Sequence, residues 1–513
     1  MSKNTTFPLF LLLFGASLTA QSDSTTQLLG ETTVLAQRIQ LPFSQESRTI
    51  QVLSREQLQS MPVRSISEAL QSISGVDVQQ RGPLGIQADL HVRGGGFDQV
   101  LVLLNGVRLS DPQTGHHMMN VPVDWSAIER IEVLKGPGAR IYGQNAFACA
   151  INIVTSAPAE RLFKIGLAAG DFGFSSANLY AALPKGRLRQ QMAASADFSG
   201  GYRPNTDFSI LNGFYQAALE SRDGKGVWNL LANFNARNFG ANGYYGRLEF
   251  TDQYEEVQTS VMSLGHTRQA GRWTHKPRIS WRRNQDFYDF QRSNPANSIN
   301  FHLSQVLTAE MNSTARWDNG QQTGLGANVE YTALSSSRLG QRERTTLNLF
   351  AEHRLLFNGF DLTPGISFSA FSDFGAFFYP GIDAGYRLSS NWRVYANAGY
   401  NYRIPTFTDL YYSDPGNQGN PDLKPERAFS TEFGLKYQPV GQPFNFQGAF
   451  SYTSSFEFQS GKSEYQDLVL FYQGTIPNPQ TRKVEFLDKA VRFEYQNGMY
   501  VLAKGAIPEA YPN

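Results

Sequence analysis

The chain has one cysteine, Cys149, so no internal disulfide can staple it. It is also poor in charge. Asp, Glu, Lys and Arg make up 17% of 513 residues, and 45 basic against 44 acidic side chains leave a net charge of +1. So even a balance steers neither nucleic acid nor an acidic partner to the surface. No apolar run approaches the roughly 20 residues that a helical membrane span needs. Catalytic sets are missing as well. With seven histidines, no G-x-S-x-G elbow and no paired-carboxylate arrangement, the chain reads as a non-enzyme. Gly94-Gly95-Gly96 has no following Gly-Lys-Ser/Thr, and Pro137 in Lys135-Gly136-Pro137-Gly138 removes an N–H that a phosphate would need. Both stretches read as backbone turns, and neither a resident cofactor nor a metal-ligand set is read from the sequence.

What is present begins with Lys3, the apolar run Phe7–Phe14 and the small residues Gly15, Ala16, Ser17 and Ala20. This is the pattern of a cleaved secretory signal, with residues 1–20 removed and cleavage after Ala20. From about Arg48 to Thr155 the pattern mixes helix and strand. Ser54 with Gln57 and Ser65 with Glu68 are capping boxes, and the second helix is expected to run to Ser74 and stop at Gly75. The strand Val76–Gln80 follows, and later Val100–Leu104 leads into Asn105-Gly106, a tight-turn dipeptide.

After about Arg161 the helix signals vanish, and long alternating segments take over. Trp392, Val394, Ala396, Ala398, Tyr400 and Tyr402 alternate with Arg393, Tyr395, Asn397, Gly399, Asn401 and Arg403. Trp228, Leu230, Ala232, Phe234 and Ala236 repeat the pattern. Strands beyond about ten residues span a membrane when tilted, and such a sheet must close because lipid satisfies no edge. A soluble array of secreted β-sandwiches would alternate too. The aromatics Tyr400, Tyr402, Phe377, Phe378 and Tyr379 are placed as an interfacial girdle, which favours the membrane barrel. The fold class is mainly β: a transmembrane antiparallel barrel behind a small N-terminal α+β domain.

Several motifs in fixed order carry a resemblance. They are Arg93-Gly94-Gly95-Gly96, Leu101–Gly106, Ile128–Pro137, Tyr142-Gly143, Asn145-Ala146 and Ile151–Thr155, then Arg403–Phe407, Asp409-Leu410-Tyr411, Gly419–Glu426 and Glu432-Phe433-Gly434. In this order they resemble the TonB-dependent outer-membrane receptors, most of all the vitamin B12 and siderophore receptors, from about Glu31 to Tyr437. The resemblance implies a signal at 1–20, a TonB-box segment and linker at 21–47, a plug at 48–158 and a barrel at 159–513. It implies a monomer in the bacterial outer membrane, taking up a bulky metal chelate or cobalamin with energy from TonB and its ExbB/ExbD partners. A surface receptor or adhesin that holds ligand without transport is the alternative.

Residue by residue, Glu31, Thr32, Thr33, Val34, Leu35 and Ala36 resemble the TonB box, which pairs by strand addition; a plain linker is the bland reading. Arg93, Lys135 and Glu432 match plug–barrel contacts, against solvated lumen charges. Arg81 and Gln87 in one apical loop, and Gln113, His116 and His117 in the other, are ligand-contact candidates, against simple solvation. Cys149 stands where such proteins usually have glycine. The resemblance implies 22 strands, yet only about fifteen alternating segments fit between Arg161 and Phe458. A C-terminal part that is truncated or atypical, ending in Ala510-Tyr511-Pro512-Asn513, and a barrel that does not fully close are therefore expected.

Overall fold

The computed structural model describes residues 39–502, apart from 40, 42–44, 137, 247, 296–298, 414–417, 439–445, 457–465, 478–483 and 497–498. The signal at 1–20, the segment Glu31–Ala36, Pro137 and the terminal Ala510–Asn513 lie outside the described residues.

The first region comprises strand β1 (Thr49–Ser54), helices α1 (Arg55–Ser60) and α2 (Ile66–Gln71), and the strands β2 (Val76–Arg81), β3 (Gln87–Val92), β4 (Val100–Leu104) and β5 (Val107–Arg108). Strand β6 (Ile128–Lys135), helix α3 (Ala139–Tyr142) and strand β7 (Cys149–Thr155) complete it. Its five-stranded sheet has the order β1-β6-β7-β4-β5, with β2 and β3 as a separate hairpin. Strand β4 is apolar throughout because it runs parallel to β7 in the interior of the sheet and is buried along its whole length. Cys149 is wholly buried in the core formed with Leu70, Val102, Ile131 and Ile151. Burial pushes its thiol up to about 12, against the opposing pull of Lys135 and Arg93.

Helix α1 starts on the complete Ser54–Gln57 box. Helix α2 keeps only half of its box: the Glu68 N–H donates to Ser65 Oγ at 3.2 Å, while the Glu68 carboxylate turns to the Arg64 N–H at 2.7 Å. It also ends at Gln71, short of Ser74. There the Ser72 hydroxyl donates to the Ala69 carbonyl at 2.6 Å, and the backbone tightens into i to i+3 bonds through Ile73. Asn105 and Gly106 both have positive φ, 51° and 79°, as a type I′ hairpin turn requires.

Among the described residues, eighteen strands make the second region, from Leu162–Ala169 to Met499–Leu502. Fifteen of them lie between Arg161 and Phe458, as the alternation predicts, and the three beyond bring the total to four fewer than the resemblance implied. Antiparallel registers run unbroken from the first strand to the last, and the strand order is a ring that leads from Met499–Leu502 back to Leu162–Ala169. The last strand is only four residues long, so the seam is the narrowest part of the wall.

Alternation divides lipid from lumen. Trp392 and Tyr400 face out, while Arg393, Tyr395, Asn397 and Asn401 are buried within. The expected aromatic girdle holds only in part. Phe378 and Tyr400 are exposed, but Tyr379 and Tyr402 stack on each other inside at 3.6 Å between ring centroids, with the Tyr402 hydroxyl 2.6 Å from Ser369 Oγ. At one end the strands join through short turns such as 271–272 and 357–359; at the other lie longer loops such as 241–253 and 404–425. Among the described residues, the expectation that helices cease after Arg161 fails once, at α4 (Phe407–Tyr411), which starts on the box Thr406–Asp409 in the loop 404–425.

Candidate functional site

The plug fills the lumen and meets the wall through buried ion pairs. Arg93 Nη1 lies 2.7 Å from Glu432 Oε2, with their side chains 7% and 0% exposed. The other oxygen of Glu432 accepts from the Thr49 N–H and Asn397 Nδ2, each at 3.1 Å. Arg93 reaches this carboxylate from a backbone φ of 53°, an uncommon conformation for a branched-free but Cβ-bearing residue. Its neighbour Gly95 has no room for a side chain, because an added Cβ would stand 2.6 Å from that of Ala148. Lys135 behaves differently. The hydrogen bonds described for it go to Gln51 Oε1, at 3.3 Å, and to the Ser74 carbonyl, both within the plug.

The sequence left further contacts unnoticed. Arg140 of α3 binds Glu352 at 3.0 Å and also Asp383, which Arg48 shares at 3.0 Å. Arg403 joins Asp98 of the plug at 2.5 Å to Glu426 of the wall at 2.7 Å. Inward-facing acids on alternating strands are the only local signal of such pairs; their partners lie hundreds of residues away. Between plug and wall near the short-turn end is a cavity of about 600 Å³, lined by Arg108, Tyr142, Lys276, Arg278, Glu310 and Asn312 among others.

The five ligand-contact candidates gather at the long-loop end, around two acidic centres. Asp89 draws together Arg81 at 2.5 Å, His116 at 2.9 Å and Gln87 at 3.4 Å. Burial favours the neutral acid, but the His116 and Arg81 contacts win and hold its carboxyl below the usual range. His116 stacks on Phe97 with centroids 3.9 Å apart, and Arg81 lies 5.9 Å from the centre of the Tyr245 ring. The second centre is Asp286 of the wall, which accepts from Gln113 Nε2 at 2.9 Å and lies 3.4 Å from His117 Nε2. Glu255 lies 3.8 Å from the same nitrogen. Burial alone would lower the His117 pKa, but Asp286, Asp111 and Glu255 together push it up to about 9. Of the five, Arg81 and His116 keep side-chain exposures of 28% and 36%, whereas Gln87, Gln113 and His117 are buried below them. The acids of the hairpin and wall, Asp89 and Asp286, hold these three inward. Helix α4 caps this apex: the N–H groups of Phe407 and Thr408 donate to the carbonyls of Pro112 and Gln113 at 3.0 and 2.9 Å.

The TonB-dependent Receptor Plug Domain family matches residues 43–150, and the TonB dependent receptor-like, beta-barrel family matches residues 171–481. The chain belongs to the TonB-dependent receptors. Such receptors are outer-membrane barrels, so the long-loop end faces outward and the short turns face the periplasm. The receptor is similar to the vitamin B12 transporter of Photobacterium profundum, with 26% identity over 426 residues that make up 78% of this chain and 66% of the relative. It is also 23% identical to that of Vibrio vulnificus over 474 residues, or 86% of this chain and 71% of the relative. The chain thus spans about two thirds of the length of these relatives. Its fold is similar to that of the ferric enterobactin receptor of Pseudomonas aeruginosa, with a TM-score of 0.68 at 16% identity, covering 90% of this chain and 81% of that one. For the ferric yersiniabactin uptake receptor of Yersinia pestis the TM-score is 0.67 at 17% identity, covering 88% and 78%.

Proposed function

We propose that this receptor imports a scarce, bulky ligand, a ferric siderophore or cobalamin, across the outer membrane. TonB, energised by ExbB and ExbD, engages Glu31–Ala36, and tension on the plug opens a path through the lumen. The observation that carries this reading is the plug's attachment: a lumen-filling domain is tied to the wall by discrete side-chain pairs such as Arg93–Glu432 and Arg140–Glu352. Such pairs break one at a time and reform, as a gate that must open and close requires. Arg81 and His116 at the mouth are the first groups offered to the ligand, and the cavity of about 600 Å³ beside Arg278 lies on the periplasmic half of the route.

Cells carrying the receptor as their sole route for labelled cyanocobalamin or a labelled ferric siderophore are the test. Deleting residues 31–36 is expected to abolish accumulation in the cell while leaving surface binding intact. Undiminished accumulation would overturn the proposal. Arg81→Ala with His116→Ala is expected to weaken surface binding at least roughly tenfold, the effect of losing about 1.4 kcal/mol of binding free energy.

A further inference from the structure

We propose that His117 of the plug and Glu255 and Asp286 of the wall form a binding site for one transition-metal dication of the Zn2+ class, which clamps the plug apex to the barrel. The proposal goes beyond the import reading, because the ion is a fixed bridge and not the cargo.

One donor atom from each of the three residues lies within 4.8 Å of the other two, and all three residues are buried. His117 Nε2 is 3.4 Å from Asp286 and 3.8 Å from Glu255. Ligands bound tetrahedrally at about 2.0–2.1 Å stand about 3.3–3.4 Å apart, so small side-chain shifts complete the geometry. An imidazole with two carboxylates suits zinc and its neighbours, whereas calcium and magnesium favour sets made only of oxygen.

The surroundings hold each donor in place, as outer groups around metal ligands do. The Asn120 side-chain amide lies 3.3 Å from His117 Nδ1; with that amide turned over, its oxygen accepts from Nδ1–H and leaves Nε2 unprotonated to face the acids. The Tyr245 hydroxyl donates to Glu255, and Gln113 Nε2 donates to Asp286 Oδ2 at 2.9 Å. Two buried oxygens add a second observation. Asp286 Oδ1 and Gln113 Oε1 have no hydrogen-bond partner although their residues are 4% and 2% exposed. Buried oxygens of this kind are nearly always satisfied. A divalent ion gives Asp286 Oδ1 its partner, balances both carboxylates, and leaves Gln113 Oε1 as a candidate fourth donor.

Full-length receptor purified in detergent, stripped with a chelator and dialysed, is titrated calorimetrically with Zn2+, and in separate runs with Ca2+ and Mg2+. The expected result is one tight Zn2+ per chain and no comparable Ca2+ or Mg2+ binding. His117→Gln and Glu255→Gln are each expected to weaken Zn2+ binding by roughly 100-fold or more, since losing an inner ligand outweighs the 10–100-fold typical of outer groups. His266→Gln, at a histidine stacked on Trp228 in the barrel, is the control and is expected to change nothing. Circular dichroism of each variant checks folding, and X-ray absorption of the Zn2+ complex is expected to report a mixed nitrogen and oxygen shell. Absence of saturable binding, tighter binding of Ca2+, or unchanged affinity in both folded variants would overturn the site. Because no uptake is measured, such a failure leaves the import reading standing.

Discussion

Arg93 and Glu432 form a buried ion pair, and the Glu432 carboxylate also accepts from the Thr49 N–H and Asn397. Breaking one partner of a buried pair typically costs about 3–5 kcal/mol, so Arg93→Ala or Glu432→Gln should lower the urea midpoint for plug unfolding in detergent. The double variant should cost less than the sum of the two, and an additive result would argue against the pair. Glu46 offers a pH handle. Burial raises its carboxyl from 4.5 to about 8, with Lys436 and Arg48 pulling down and Asp383 pushing up. The folded plug therefore holds that proton more tightly than the unfolded chain, so this group's contribution is fullest at low pH and is lost as pH climbs from about 4.5 through 8. In Glu46→Gln the fall in plug stability between about pH 5 and pH 8.5 should be visibly shallower. The same scale marks the limit of sequence reading. Arg93 and Glu432 were legible only through motifs, and Lys135 belonged to the same pattern but spends its described bonds on Gln51 and Ser74. His116 and His117 are adjacent and identical in type, yet one stays at the mouth and the other sinks between Glu255 and Asp286, a difference decided by acids more than a hundred positions away.

Among elements, α4 couples an outer loop to the plug apex, and its start depends on Thr406 Oγ1, which accepts from the Asp409 N–H at 3.1 Å. Thr406→Ala should cost about 1 kcal/mol locally and speed hydrogen exchange at residues 406–412, with smaller increases at 112–113 where the helix docks. Unchanged exchange at 112–113 would show that the loop and the apex move independently. The box Thr406-x-x-Asp409 is as plain in the sequence as Ser54-x-x-Gln57, but it falls in a region where alternation dominates. Local chemistry set helix starts well and helix ends poorly: the Ser72 hydroxyl ends α2 through the Ala69 carbonyl, a competition that no spacing rule reveals. Strand alternation placed Trp392 and Arg393 on their proper faces. It misplaced Tyr402, whose ring is held inside by Tyr379 and Ser369.

For the whole molecule, fifteen of the barrel strands were countable in advance because each has room for a full period-two pattern. The seam was not, since its last strand, Met499–Leu502, is four residues long against eight for Leu162–Ala169. A ladder that short has few bonds to lose, so backbone amides of Leu162–Ala169 should exchange faster than those of mid-barrel strands such as Trp273–Asp289. Equal protection would mean that the seam is as firm as the rest of the wall. The plug sheet contributes a different property. Among the described residues, strand β1 is both the first strand and the outer edge of the order β1-β6-β7-β4-β5. A load entering from the N-terminus meets the wall contacts of Ser47 and Arg48 and then a strand with a single neighbour in its sheet, joined to β6 from Thr49–Lys135 to Ser54–Arg130. Peeling that strand spends the yield of one ladder while β6, β7 and β4 stay assembled. The plug thus has a mechanical fuse in series with its core, able to part under tension and rezip against β6 once the pull is released.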